Sequence, residues 1–263
     1  MKGILRYRFT VGKEYWLTII IVTFIGLALF FSLFYYYFTF RPNENYYSYD
    51  PDPKTGYLFP SAIHHCTIFL LPSFSFLLGI PLGNQFLADD FQSGRFRMIA
   101  ISGKGKKTFF RQNAFLGMCC GLIVVFSLWL LLFFLISPLW AVKEGPMVLE
   151  TCGAALYLSI LLYALAFYLA AISSLLFRNA LYGGGALFLL FFALWFLSVN
   201  ITNSGTTPTD KIPFFVGWIP LGGWAHMARY PLDRSFWIPV IGGIAMLLLF
   251  RHLCGVVYDK AEA

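Results

Sequence analysis

The chain has 263 residues, of which 59% are apolar and only 12% carry a charge, and its formal net charge is +7. Its mean hydropathy is +0.72. Soluble domains have about 25% charged residues, so this chain has too few charges to cover a soluble globule. The composition excludes a disordered chain, a coiled coil and a disulfide-rich secreted domain, and it predicts an integral membrane protein with several helical spans.

Six apolar segments are long enough to cross the hydrocarbon core as helices, which takes about 20 residues. We predict an all-α membrane protein with a single transmembrane domain, residues 1–263, and with spans at residues 16–40, 62–87, 114–139, 152–177, 181–199 and 236–257. A further apolar stretch, residues 212–228, is only 17 residues long and contains Pro213 and Pro220. It predicts a re-entrant or interfacial segment within an external region, residues 200–235, and both alternatives stay open.

The distribution of basic residues predicts the orientation. With six spans both termini lie on one side of the membrane, and 13 of the 19 Lys and Arg residues lie on that side. Positive residues are retained in the cytoplasm, so we expect both termini there. The basic segments flank apolar ones, which indicates contact with anionic membrane lipids and not with nucleic acid. A seventh span at residues 212–228 would move the C-terminus outside, and the weakly charged C-terminal tail does not exclude it.

Reactive groups are sparse in the predicted spans. No acidic residue lies in the middle of a span, which argues against a proton-driven transporter and a voltage-gated channel. Residues 103–108 lack the spacing of a phosphate-binding P-loop. His64, His65 and Cys66 follow one another directly, so they cannot converge on one metal ion. We expect no enzymatic activity, no metal and no cofactor in this chain, and we expect its five scattered cysteines to be free thiols.

The first predicted cytoplasmic loop, residues 88–113, has a more informative pattern. It begins with acid at Asp90, passes Gly94, and continues into an apolar stretch from Phe96 to Ile101. A basic turn and two phenylalanines follow. An apolar and basic segment between two spans is too short to cross the membrane. It can lie among the lipid headgroups or dock into a groove of a soluble partner, and both interpretations stay open.

This loop resembles the first intracellular loop of the type-2 ATP-binding-cassette (ABC) permeases, the six-span membrane subunits of exporters. The matching positions are Asp90, Gly94, the apolar run Met98 to Ile101, Ser102, Lys106 and Phe109-Phe110. The chain departs from the pattern at Gly103 and Asn113, where the family often has Pro and Lys. The order of the remaining segments is similar too. A basic amphipathic segment, residues 1–15, precedes the first span, a very short turn joins spans four and five, and residues 200–235 correspond to a re-entrant external region.

The resemblance implies that residues 88–113 hold a coupling helix that docks into a groove of a separate ATPase subunit. The docking residues would be Asp90, Gly94, Arg95, Phe96, Arg97, Met98, Ile99, Ile101, Lys106 and Lys107. ATP and magnesium would bind in two such ATPase subunits and not in this chain. A second permease subunit, identical or homologous, would complete the transporter in the bacterial plasma membrane.

Aromatic residues make up 20% of the chain and include 30 phenylalanines. In the resembling family, spans one, two and five line the central cavity. The residues implied for such a pathway are Phe74, Phe76, Phe191, Phe192 and Trp195. The alternative is that these side chains contact lipid or pack between helices. An uncharged aromatic cavity would suit an amphipathic or hydrophobic substrate such as a peptide, a drug or a lipid. Residues 183–185, three glycines, predict either tight packing on span four or a flexible helix start.

Three functions are compatible with these patterns. The favoured one is the permease subunit of an ATP-driven exporter. The second is a membrane scaffold or immunity protein that sequesters a ligand without transporting it. The third is a membrane-embedded enzyme acting on lipids, for which Asp89 and Asp90 form the only acidic pair near a span.

Overall fold

The computed structural model describes residues 71–92, 105–140, 145–179, 181–190 and 237–260, together with positions 20, 24, 28 and 193. These residues form helices and short turns, and no strand occurs among them. The predicted all-α architecture is confirmed for this part of the chain. In chain order the helices are α1 (Leu71–Gly83), a π-helical segment (Asn84–Ala88), α2 (Asp89–Gln92), α3 (Lys106–Trp140), α4 (Gly145–Phe177), α5 (Leu181–Leu190) and α6 (Trp237–Lys260).

Three of these helices contain stretches that are long and apolar enough to cross a membrane. The stretches are Lys106–Leu131 in α3, Ala155–Phe177 in α4 and Val240–Lys260 in α6. The chain is therefore a membrane protein, as its composition predicts. The continuous stretch from α1 to α2 corresponds to the predicted second span, and α3 to α6 correspond to the third to the sixth.

Several predicted segments lie outside the described residues. They are residues 1–15, residues 200–235 and all of span 16–40 except positions 20, 24 and 28. The six-span topology and the cytoplasmic position of the termini therefore stay predictions.

Two helices begin earlier than the apolar runs indicate. α3 begins at Lys106 and not at residue 114, and α4 begins at Gly145 and not at residue 152. At the start of α3 the Gly105 carbonyl accepts hydrogen bonds from the amides of Thr108 and Phe109, at 3.0 and 3.2 Å. Hydropathy marks where a helix enters the hydrocarbon, whereas the helix itself can continue into the polar region beyond it. The polar residues that open α3 are therefore part of the helix.

The same observation shortens the predicted cytoplasmic loop. Residues 88–92 and 106–113, which the apolar runs assign to that loop, are helical. The described helices thus approach the predicted docking segment from both sides and leave residues 93–104 between them.

The central helix is α4. Over 18 residues of its apolar stretch 67% are buried, against 28% for α3 and 22% for α6. It packs against α1, α3 and α6. Tyr163 and Phe167, in the middle of α4, are fully buried. A helix that is apolar on all sides is expected at such a position, because it has no polar face to present to water.

Glycines on α1 allow it to approach α4 closely. Gly79 and Gly83 are four residues apart and lie on one face of α1, toward Tyr163 and Phe167. A methyl group at Gly79 would lie 2.6 Å from the Tyr163 carbonyl oxygen, and one at Gly83 would overlap the backbone of Phe167. Two small residues at this spacing let helix backbones touch, which is a principal source of helix association in lipid.

A second glycine pair does the same on α3. Gly117 and Gly121 are also four residues apart, and they make room for the rings of Phe167 and Tyr163. The Tyr163 hydroxyl donates a buried hydrogen bond of 2.7 Å to the Gly117 carbonyl. Because a phenol in an apolar interior needs a partner, this bond fixes the ring between α3 and α4.

Candidate functional site at the charged end of the bundle

The charged side chains of the described helices gather at one end of the bundle, which we call the charged end. It is the end at which α2 and α6 finish and α3 begins. Apart from Glu150 in α4, every Asp, Glu, Lys and Arg of the described helices lies in α2, in the first two turns of α3 or in the last ten residues of α6. This segregation is the pattern expected of a chain that presents one end to an aqueous, anionic surface.

An aromatic cluster holds three helix ends together at the charged end. Tyr258 of α6 is 1% exposed. Its ring lies perpendicular to that of Phe91, with 4.6 Å between the ring centroids, and 4.9 Å from that of Phe110. Edge-to-face and tilted pairs are the favoured arrangements of aromatic rings. Because Phe91 lies near the end of the helix before residues 93–104 and Phe110 lies in the second turn of the helix after them, both flanks of that segment are anchored to α6.

A buried polar contact lies on the inner side of the same end. The Ser174 hydroxyl of α4 donates a hydrogen bond of 2.5 Å to the side-chain oxygen of Asn84. Asn84 is the first residue of the π-helical segment. The Ser173 hydroxyl reaches the Gly183 carbonyl of α5 at 3.2 Å. Segments of π-helix are rare and occur often at functional sites, and this one links α1 to α4 next to the start of α5.

The turn between α4 and α5 is very short, as predicted. Arg178 has a left-handed backbone conformation, with φ at 52°. The side-chain oxygen of Asn179 then accepts hydrogen bonds from the amides of Leu181 and Tyr182, at 2.8 and 3.4 Å, and so caps the start of α5.

Two of the three glycines that open α5 lie close to neighbouring helices. A methyl group at Gly183 would lie 2.6 Å from the backbone nitrogen of Ser174, and one at Gly184 would lie 3.2 Å from the Asn84 amide nitrogen. Around Gly185 the described residues leave open space. Of the two predicted roles for residues 183–185, the structure accords with tight packing against α4 at Gly183.

Most of the predicted ATPase-docking residues cannot be placed. Gly94, Arg95, Phe96, Arg97, Met98, Ile99 and Ile101 lie outside the described residues. Asp90 is in α2, and Lys106 and Lys107 open α3. The Lys107 ammonium lies 3.9 Å from the Asp259 carboxylate of α6, and both side chains are well exposed. An exposed ion pair of this length contributes at most about 1 kcal/mol, so Lys107 is free to exchange partners.

Two of the predicted pathway residues lie in described helices, and both pack against neighbours. Phe76 is 5% exposed and belongs to an apolar cluster with residues of α4, α5 and α6. Phe74 is partly buried against a second cluster. Their positions correspond to the alternative in which these side chains pack between helices. Phe191, Phe192 and Trp195 lie outside the described residues, so the pathway stays a prediction.

Besides the aromatic cluster and a groove between α3 and α6, three features of the packing between helices were not predicted from the sequence. They are the two glycine pairs and the contact between Asn84 and Ser174. The glycine pairs carry a visible signal, because Gly79 to Gly83 and Gly117 to Gly121 both have the spacing G-x-x-x-G within apolar runs. An amide inside an apolar span, as at Asn84, is the corresponding signal for a buried polar contact.

Within the described ranges, no group of three His, Cys, Asp or Glu side chains is arranged to hold a metal ion. Comparison of the chain with protein-family models, with curated proteins and with solved structures gives no match.

Proposed function

We propose that the protein is the membrane-spanning permease subunit of an ATP-driven transporter, with a separate ATPase subunit as its energy source. The observation that supports this most is the aromatic cluster of Phe91, Phe110 and Tyr258, which holds both flanks of residues 93–104 against α6. A segment anchored in this way moves α2, α3 and α6 together when a partner displaces it. A coupling element requires that property.

Displacement of the segment would reach the centre of the bundle through the π-helical segment. Asn84 precedes the aromatic cluster by about two helical turns and is bonded to Ser174 of α4. Closely packed helices move as rigid bodies and switch between discrete arrangements, since their interiors do not deform continuously. In this proposal α4 is the helix against which α1, α3 and α6 move.

The remaining parts of the proposal follow from the family resemblance. The protein would sit in a bacterial plasma membrane, pair with a second permease subunit, and bind two ATPase subunits that hold ATP and magnesium. It would export an amphipathic or hydrophobic substrate such as a peptide, a drug or a lipid. Exposed apolar side chains on α3, α5 and α6 provide surface for lipid and for a second subunit.

Coexpression with the ABC ATPase subunits of the same organism tests the proposal. The variant Phe96→Asp with Ile99→Asp places two charges on the expected docking surface, and Phe96→Leu with Ile99→Val is the matched control that keeps it apolar. We expect the wild type and the control to retain the ATPase through purification in detergent and to stimulate ATP hydrolysis. The aspartate variant should lose both while it elutes from a sizing column like the wild type.

If the aspartate variant retains the ATPase, the docking assignment is wrong. If no ATPase binds any form, and a cell expressing the chain alone is still protected from a toxic ligand, the sequestering scaffold replaces the transporter as the function.

A further inference from the structure

A groove opens at the charged end between the start of α3 and the last four turns of α6. Its volume is about 550 Å³. Both helices contribute basic side chains to its lining, with Lys107 and Arg111 from α3 and Arg251 and His252 from α6. Among the described lining residues Asp259 is the one acid. Three permanent positive charges therefore face one carboxylate, and the groove favours an anion.

The positive groups suit a phosphate in particular. Two arginines are present, and the planar guanidinium group of arginine binds phosphate through two parallel hydrogen bonds. Lys107 and Arg111 lie in the first two turns of α3, a helix of 35 residues. The N-terminus of a helix carries partial positive charge, so it adds to the attraction for an anion at this place.

Apolar side chains lie among these charged groups in the lining of the groove. They are Phe110 of α3 and Leu248 and Val256 of α6. Leu248 is 58% exposed, and the apolar strip continues along α6 through Ile244 and Ile241, which are also exposed. From Arg251 to Ile241 the helix rises about 15 Å, which is half the thickness of a bilayer's hydrocarbon core. The groove and the strip together match a molecule with an anionic head and chains that cross one leaflet.

We propose that this groove binds the phosphate headgroup of an anionic phospholipid, with the acyl chains lying along α6. Basic pockets between membrane helices on the cytoplasmic side are known to bind such headgroups. The apolar lining favours a lipid over a free phosphate compound, because a free phosphate would leave Leu248 and Val256 uncovered. The groove shares Lys107 with the predicted ATPase-docking residues, but lipid binding there does not require the proposed transport function.

The test uses the purified full chain in a neutral detergent, without any ATPase. The probe is dioctanoyl phosphatidylglycerol, with dioctanoyl phosphatidylcholine as the neutral lipid and glycerol 3-phosphate as the free phosphate compound. Binding is measured by thermophoresis on the wild type and on Arg111→Gln with Arg251→Gln. The matched control, Arg178→Gln with Lys260→Gln, removes two positive charges from the same end but outside the groove.

We expect phosphatidylglycerol to bind and phosphatidylcholine to bind at least about tenfold more weakly. One basic residue near an anionic lipid is worth about fivefold in affinity, so the groove variant should lose about tenfold or more. The control variant should stay within about twofold of the wild type, since its charges lie farther from the headgroup.

A second variant tests the site through a gain of affinity, which a misfolded protein cannot produce. Asp259→Asn removes the carboxylate of the groove and releases Lys107 from its ion pair. We expect this variant to bind phosphatidylglycerol at least twofold more tightly than the wild type.

Three results would overturn the inference. Equal losses in the groove variant and its control would mean that only the general surface charge attracts the lipid. Equally strong binding of glycerol 3-phosphate would assign the groove to a free phosphate compound. Unchanged lipid binding in the groove variant would show that the groove does not hold the headgroup.

Discussion

The Ser174 hydroxyl lies 2.5 Å from the Asn84 side-chain oxygen in the interior of the bundle, although the two residues are 90 positions apart in the chain. Neither side chain is exposed beyond 9%. A buried amide is costly in an apolar interior unless it is hydrogen-bonded, so the position of Asn84 on the π-helical segment and that of Ser174 on α4 depend on each other. The contact thereby fixes the register of α1 against α4.

The first prediction concerns that hydrogen bond. Ser174→Ala removes the donor and leaves the Asn84 oxygen without this partner. Hydrogen bonds between membrane helices are worth about 0.6 kcal/mol on average and up to about 1.7 kcal/mol. We expect a lower thermal midpoint, by a few degrees, in detergent unfolding followed by fluorescence size exclusion. Ser127→Ala is the control, because that hydroxyl is exposed and bonds the Ile123 carbonyl of its own helix. Equal shifts in both variants would contradict the role of the interhelical bond.

The second prediction concerns the close approach of α1 and α4. In Gly79→Ala the added methyl group meets the backbone of Tyr163 at 2.6 Å, and a backbone atom cannot move aside as a side chain can. We expect a loss of about 1–3 kcal/mol in the free energy of unfolding, which is usual for overpacking. Steric trapping or denaturation in detergent would measure it.

Gly153→Ala is the matched control on α4. No described atom lies within 4 Å of the added methyl group, and alanine favours a helix over glycine by up to about 1 kcal/mol. We therefore expect this variant to be neutral or slightly more stable. A Gly79→Ala protein as stable as Gly153→Ala would show that α1 and α4 are farther apart than described.

Local features of the sequence predict much of the described fold. A long apolar run is sufficient to identify each of α3, α4 and α6 as a helix, because a membrane span must bond its own backbone internally. The short turn at Arg178 and Asn179 follows from the lack of space between two adjacent apolar runs. Helix starts are less predictable. The polar residues at the beginning of α3 read as loop by hydropathy, yet Lys106 already begins the helix.

Contacts between distant positions could not be predicted from one sequence. Nothing in the sequence around Tyr258 indicates that its ring contacts Phe91 and Phe110, since both residues lie more than 140 positions earlier in the chain. The groove could not be predicted for the same reason. Arg111 and Arg251 read as ordinary charges at span ends, and they form one site only because α3 and α6 run antiparallel at this end.

The third prediction concerns the aromatic cluster. Tyr258→Ala deletes the ring that contacts Phe91 and Phe110, and loss of a buried aromatic side chain destabilises a protein by about 3–5 kcal/mol. Tyr258→Phe keeps the ring and both contacts. We expect the alanine variant to unfold at a lower temperature than the wild type. With its ATPase present, we also expect it to bind that subunit without stimulating ATP hydrolysis. The phenylalanine variant should behave nearly like the wild type.

Tyr182→Ala is the control for the loss of an aromatic ring as such. That side chain is 67% exposed, so its removal should change the stability by no more than about 0.5 kcal/mol. If Tyr258→Ala is as mild as Tyr182→Ala, the flanks of residues 93–104 are not held by α6, and the support for a coupling element is lost.

The fourth prediction concerns the face that α6 turns toward the bundle. Cys254 is 0% exposed and Leu253, its neighbour, is 40% exposed. Adjacent positions on one helix lie at nearly the same depth in the membrane but point in directions about 100° apart.

Two proteins with a single cysteine each test this orientation. One keeps Cys254 as its only cysteine, and the other carries Leu253→Cys as its only cysteine. The two thiols therefore differ in burial and hardly in depth. Reaction with a maleimide requires an accessible thiol, so we expect Cys254 to react at least about tenfold more slowly in native detergent. Both thiols should react equally fast in sodium dodecyl sulfate, which removes the packing and serves as the internal reference. Equal rates in the native state would mean that α6 is rotated from its described position, and the contact of Tyr258, four residues on and on the same face, would then have no support.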